Sequence, residues 1–336
     1  MSKAKDKEQG KVKKNDEVKH AHKRNDGMPF DIDLINELRI NKSAVERRAA
    51  TLGKRRSVKK EWQAAWLLRA VTCIDLTTLS GDDTPGNVHR LCAKAQHPIR
   101  QDLLEAIGMA DQNITVGAVC VYHNLIGEAK KALKGSNIPI AAVSTGFPAG
   151  QITLKQKLKQ IELSVEAGAT EIDIVISRAQ VLNSEWKKLY KEIAEMRKAC
   201  GEAHMKTILA TGELSTLTNI AKASVVAMMA GSDFIKTSTG KEPVNATLPV
   251  SLVMIRAIRE YEEQTGLKVG FKPAGGIRSA KQALEWLILM KEELGDDWLK
   301  NDLFRFGASG LLTDIERQLE HFVTGRYSAA YRHPMS

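Results

Sequence analysis

From Ala70 to Ser309 the chain repeats one pattern, a short and nearly unbroken apolar run followed by an amphipathic stretch with helical spacing. The runs are AVTCIDLTT (70–78), ITVGAVCVY (114–122), IPIAAVSTG (138–146), EIDIVIS (171–177), MKTILATG (205–212), DFIKTST (233–239), VGFKPAGG (269–276) and LFRFGAS (303–309). Runs without strict alternation suit parallel strands covered by helices on both faces. Between them, Leu154, Leu158, Ile161 and Val165 recur at helical spacing, as do Ala280, Ala283, Leu284, Leu287 and Ile288. Ser279, with Gln282 three residues on, offers a capping box for the second of these helices. The repeat predicts an α/β fold, a (β/α)8 TIM barrel over residues 70–325. An open doubly wound sheet is the competing architecture. Its nucleotide-binding version needs Gly-x-Gly-x-x-Gly after the first strand, and that motif is absent there.

The flanks read differently. Residues 28–69 have helical patterning (DLINELRI, SAVERRAATLGKRR, KKEWQAAWLLRA) and form a predicted N-terminal helical extension. Residues 1–27 are predicted to be a disordered basic tail, because they hold too few apolar side chains to fold. Residues 1–24 alone carry nine Lys/Arg against four Asp/Glu, which accounts for half of the net charge of +10. A solvated tail is the simpler reading, with a localisation signal or a nucleic-acid contact left open. Residues 326–336 are read as a C-terminal tail.

Several classes fall away. No apolar run reaches the roughly 18 residues of a membrane helix, so no membrane partner is expected. The N-terminus lacks the apolar centre of a signal peptide. Cys73, Cys92, Cys120 and Cys200 show no paired spacing, which fits a reducing, cytoplasmic setting, with entry to the nucleus open. His20 and His22 lack a third ligand nearby, so no metal is expected.

In a barrel the chemistry gathers where strands end and loops begin. Those positions are Asp75, Asp173, Lys236, Lys272, the Gly275-Gly276-Ile277-Arg278 turn and Gly307-Ala308-Ser309. Lys236 and Lys272 would end adjacent strands. Two neighbouring ammonium groups repel, and burial also disfavours charge, so one amine should give up its proton easily. A neutral amine attacks a carbonyl, and the iminium that follows is an electron sink for breaking a C–C bond. Each lysine alone would more simply be a snorkelling surface residue. Asp173 interrupts an apolar strand and either relays protons or neutralises the lysines, while Glu171 is read as the exposed start of that strand. The glycine turns PAGGIRS and GAS precede helices, so their backbone N–H groups suit a phosphate, with Lys241 and Arg278 adding fixed charge.

The motifs IDLTTLSGDDT, AVCVY, EIDIVI, FIKTSTG, GFKPAGGIR and FGAS, in this order, resemble the deoxyribose-phosphate aldolases in their longer animal form over roughly residues 40–336. The resemblance implies reversible cleavage of 2-deoxy-D-ribose 5-phosphate to D-glyceraldehyde 3-phosphate and acetaldehyde, in deoxyribose phosphate catabolism, by a class I mechanism without metal or cofactor. It implies Lys236 as the Schiff-base lysine, Lys272 as the lysine that lowers its pKa, and Asp173 as the proton relay. It places phosphate at Gly240-Lys241, Gly275 to Arg278 and Gly307 to Ser309, and the sugar near Asp75 and Thr77, with Thr239 available to hydrogen-bond near Asp173. A homodimer is also implied. The chain departs from the family at His123-Asn124, where proline is commoner, at Gly310, where a second hydroxyl residue is usual, and in its C-terminal YSAAYRHPMS, where neither Tyr327 nor Tyr331 takes the place of the terminal tyrosine of bacterial forms. The rival readings are another Schiff-base aldolase with a different phosphorylated sugar, and a scaffold or RNA-associated protein built on the same barrel.

Overall fold

The structure, a computed structural model, describes residues 24–333. Seven strands lie in one parallel sheet in chain order: β1 (Asp75–Thr77), β2 (Ala118–Tyr122), β3 (Ile140–Val143), β4 (Glu171–Val175), β5 (His204–Ile208), β6 (Phe234–Lys236) and β7 (Gly270–Lys272). The eighth run forms single parallel bridges rather than a regular strand, Phe304 to Phe271 on one side and Phe306 to Ile74 on the other. Its backbone nevertheless bonds both edges. Arg305 N–H donates to Phe271 O at 3.1 Å, and Asp75 N–H donates to Phe306 O at 2.8 Å. The sheet therefore closes into a barrel.

The first run is shorter as a strand than its pattern predicts. Residues 70–72 end the helix Lys60–Thr72, with Ala70 and Val71 buried. A buried helical turn and a buried strand look alike over three apolar residues. Helices follow the strands as the periodicity predicts, and Ser279 and Gln282 form both bonds of the capping box on the helix Ala280–Leu294.

One large apolar core fills the space between barrel and helices. The helix Leu217–Met229 is buried over most of its length, because it packs between the neighbouring helices Trp186–Ala199 and Leu248–Thr265, with the N-terminal helix Ile32–Glu37 adding a smaller contact. Residues 24–27, assigned to the tail from sequence, are instead anchored. Asn25 is buried, donates to the carbonyls of Met228 (2.7 Å) and Ser232 (2.9 Å), and its N–H donates to Asp233 at 2.9 Å. One polar side chain with four fixed partners outweighed the surrounding charge. The expectations for residues 1–23 lie outside the described residues. Among the described residues no helix is long and apolar enough to cross a membrane, and all four cysteines are free and buried.

Candidate active site

Barrel interiors are commonly filled by branched aliphatic side chains. Here the inward positions of β1, β4, β5, β6 and β7 carry charge instead. Alternation along a strand puts Glu171 and Asp173 on the same face, and parallel register sets Asp173 beside Lys206 and Lys236 beside Lys272. Glycines make the room. A Cβ on Gly270 would meet the Phe234 ring at 2.4 Å, and one on Gly307 would meet the Ala274 Cβ at 2.7 Å and the Lys272 Cε at 3.4 Å.

Asp173 lies at the centre, fully buried. Its Oδ2 accepts from Lys236 Nζ at 2.7 Å and from Lys272 Nζ at 2.9 Å, so the two amines meet on one oxygen. Its Oδ1 accepts from Lys206 Nζ at 3.2 Å. Burial would raise the Asp173 pKa, but Lys206, Lys236 and Lys272 outweigh it and hold the carboxyl well below the usual carboxylate range. The two amines then diverge. Burial, opposed by Asp173 and helped by Lys272, pushes Lys236 down. Burial also acts against Lys272, but Asp173 and Asp75 override it and push that amine up. The depression expected of one amine from sequence thus falls on Lys236, because Lys272 also bonds Asp75 Oδ2.

Asp75 is deeper than a sugar-lining position. It is fully buried between Lys272 and Arg305 Nη1, the latter at 2.6 Å. Glu171 is not at an exposed strand start. It is buried, and its carboxylate accepts from Arg305 Nη2 at 2.8 Å and from Lys206. Lys206 and Arg305 went unremarked in the sequence, although each interrupts an apolar run as Lys236 does; attention to strand ends alone passed over them.

The loops at the mouth are tied together. Thr239 does not reach Asp173. Its hydroxyl donates to Glu242 at 2.7 Å and accepts from Lys241 N–H at 3.1 Å. Glu242 in turn faces Arg178 Nη2 at 3.3 Å, and Arg178 donates to the Ala149 carbonyl at 2.7 Å and pairs with Glu213. Four loops therefore meet at one guanidinium. Ser238 donates to the Ala274 carbonyl at 2.5 Å, joining the β6 and β7 loops. Gly240, Gly275 and Gly276 all have positive φ, and a Cβ on Gly275 would meet Asn245 Cγ at 2.6 Å. Among the described residues, the side chains of Lys241 and Arg278 have no carboxylate partner. Ser309 bridges to β1, its hydroxyl accepting from Thr77 N–H at 2.7 Å and donating to Thr77 O at 2.8 Å.

The departures lie apart from the charged centre. His123 Nδ1 is 3.1 Å from the Ser164 hydroxyl. Gly310 starts the helix Gly310–Thr324, with open space where a Cβ would stand. Tyr327 and Tyr331 are 78% and 84% exposed, and the segment is held on Glu320 by Arg332 and His333 at 2.5 and 2.7 Å. Among the described residues no group of three or more His, Cys, Asp or Glu is arranged to hold a metal ion.

The profile of the DeoC/LacD family aldolases matches residues 69–313. The deoxyribose-phosphate aldolase of Homo sapiens is 64% identical over 94% of this chain and 99% of its own length. That of Mus musculus is 65% identical over 92% of this chain and 98% of its own. Among solved structures, the tetrameric deoxyribose phosphate aldolase of Aeropyrum pernix superposes with a TM-score of 0.55 at 22% identity, covering 83% of this chain and 99% of that one, which is a likeness of fold. A barrel closed around two lysines on one buried carboxylate, with this degree of identity along nearly the whole length, means that the chain belongs to the DeoC/LacD aldolase family, among the deoxyribose-phosphate aldolases.

Proposed function

We propose that Lys236 is the amine on which this chain cleaves 2-deoxy-D-ribose 5-phosphate, reversibly, to D-glyceraldehyde 3-phosphate and acetaldehyde. The reaction class, an aldehyde-lyase, follows from family membership; the assignment of roles rests on the geometry of the site. The observation that carries it is the single Asp173 oxygen shared by two amines of which only Lys236 lacks a second carboxylate.

The neutral Lys236 amine adds to the C1 aldehyde, and loss of water from the carbinolamine gives the iminium. The C3 hydroxyl then loses its proton, the C2–C3 bond breaks, and its electron pair moves toward nitrogen as an enamine while glyceraldehyde 3-phosphate departs. Protonation of the enamine carbon and hydrolysis release acetaldehyde and restore the amine. Asp173, ionised and within hydrogen-bonding reach of Lys236, is placed to take and return these protons. Lys272 remains cationic and competes for the same Asp173 oxygen, which weakens the hold of that carboxylate on a proton at Lys236. Phosphate is assigned to Gly240, Lys241, Gly275, Gly276, Arg278, Gly307 and Ser309, supported by two cations, Lys241 and Arg278, without carboxylate partners among the described residues, and by the start of the helix Gly310–Thr324 after Ser309. Asp75 and Thr77 act from behind, one holding Lys272 and the other seating Ser309.

Incubation with 2-deoxyribose 5-phosphate should release acetaldehyde, and ketose phosphates should be cleaved far more slowly. Efficient ketose phosphate cleavage without acetaldehyde release would overturn the substrate assignment.

A further inference from the structure

The buried charges of the barrel form a closed ring, and the reacting amine is not part of it. Three carboxylates, Asp75, Glu171 and Asp173, alternate with three cations, and each cation bridges two carboxylates. Arg305 spans Asp75 Oδ1 at 2.6 Å and Glu171 Oε1 at 2.8 Å. Lys206 spans Glu171 Oε2 and Asp173 Oδ1, the latter at 3.2 Å, and also stands 3.8 Å from Asp75 Oδ2 across the ring. Lys272 spans Asp173 Oδ2 at 2.9 Å and Asp75 Oδ2. All six carboxylate oxygens are thereby engaged, and the ring is neutral. Lys236 stands outside it, sharing with Lys272 an oxygen already taken.

We propose that Arg305, by closing this neutral ring, is a positioning residue for the reaction that leaves Lys236 without a carboxylate of its own and so makes Lys236 the amine that is free of a proton. The proposal rests on the reading of Lys236 as the reacting amine. A guanidinium keeps its charge under all ordinary conditions, so Arg305 cannot relieve the excess by losing a proton. Lys206 holds three carboxylates and Lys272 two, which leaves Lys236 the weakest-held cation. The directions agree, since Lys206, Lys272 and Arg305 are all pushed up and Lys236 alone is pushed down. The other groups facing Lys236 do not change the balance. Cys120 of β2 is a thiol pushed up to about 11, chiefly by burial, and stays neutral. Across from it β3 offers Ala141 and Val143. His204 is in register with Glu171 at the start of β5, four residues before Ile208, which pairs with Lys236.

The test is the pH dependence of imine formation, read by reductive trapping with acetaldehyde as the probe and cyanoborohydride as the reductant, with the adduct mapped to its residue. Arg305→Met leaves the ring short of one cation, so its acid limb should rise by about one pH unit, a roughly tenfold slower reaction below the limb. Glu171→Gln leaves it short of one carboxylate, so its limb should fall. Arg305→Lys, which restores a cation, should return the limb toward that of the unaltered protein. A ring that served only to stabilise the barrel would lower the folded fraction in both variants and would not move their limbs in opposite directions. Limbs that stay put or move the same way while the adduct still forms on Lys236 overturn the role of Arg305. Should Arg305→Met not fold, an unmoved or raised limb in Glu171→Gln does the same. An adduct absent from Lys236 in the unaltered protein removes the reading beneath it instead.

Discussion

Lys236 and Lys272 are the same side chain on adjacent strands, yet their surroundings drive their amines in opposite directions. The difference is one carboxylate, since Lys272 has Asp75 as well as Asp173. Attack requires the neutral amine, so the rate should rise with pH through the Lys236 pKa, and a depressed pKa brings that limb below the range of a free lysine. Lys272→Met removes a positive neighbour and must raise the Lys236 pKa. Its acid limb should therefore move upward, with turnover at neutral pH falling by at least about tenfold. A pH–rate profile superimposable on that of the unaltered protein would contradict the electrostatic role given to Lys272. Lys236→Ala should abolish turnover altogether. That these residues stand out in the bare sequence has a physical cause, because a charged side chain breaking an apolar strand costs several kcal/mol unless it is paired or used. Lys206, Glu171 and Arg305 carry the same signal at positions nearer the strand starts. A reading confined to strand ends gathers the groups proposed to meet substrate and passes over Lys206 and Arg305, which set their charge.

Among the elements, strands contribute charge and loops contribute shape. The β7 loop needs glycine at 275, where φ is +80° and a side chain would run into Asn245. Gly275→Ala should displace this loop and raise the KM for 2-deoxyribose 5-phosphate more than it lowers kcat, if the loop holds the phosphate end as proposed and not the reacting carbon. Steady-state kinetics with the phosphorylated substrate checks this, and a pure kcat effect would place the loop elsewhere in the mechanism. Glu242 fixes the β6 loop through Thr239, and Arg178 fixes Glu242. Glu242→Gln keeps the shape but weakens the charged contact, so a KM increase of about threefold to tenfold is expected with the pH profile unmoved, as suits a lost charge-assisted bond. The helix–strand repeat was legible because its period is a property of burial on both faces. The start of β1 and the irregular eighth run were not, since three buried apolar residues do not record whether their backbone bonds along a helix or across to a strand.

At the scale of the molecule, every residue assigned to the chemistry lies between Asp75 and Ser309, and among the described residues the helical segments within 32–54 pack on the outer helices Leu217–Met229, Leu248–Thr265 and Ala280–Leu294. Removing residues 1–23 should leave turnover within about twofold, because they lie outside the span from Asp75 to Ser309 that holds every residue assigned to the chemistry. Removing residues 1–27 takes Asn25 with them and leaves Asp233 Oδ1 and the Ser232 carbonyl short of the partner it gave them, while Asp233 Oδ2 keeps Arg197 and the Met205 N–H and the Tyr261 hydroxyl keeps the Met228 carbonyl. That deletion should lower Tm by several degrees in a thermal melt, since buried polar groups left unpaired cost about 1–3 kcal/mol each. The contrast between two deletions four residues apart tests whether the N-terminus serves the fold or the reaction. As proposed, the barrel with its neutral ring favours the uncharged form of one buried amine, Lys236. Reduction with borohydride in the presence of 2-deoxyribose 5-phosphate, followed by peptide mapping, tests that most directly. A covalent adduct on Lys236, lost in Lys236→Ala and retained at a lower rate in Lys272→Met, is the result expected. An adduct on Lys272 or Lys206, or turnover with no trappable adduct, would contradict it.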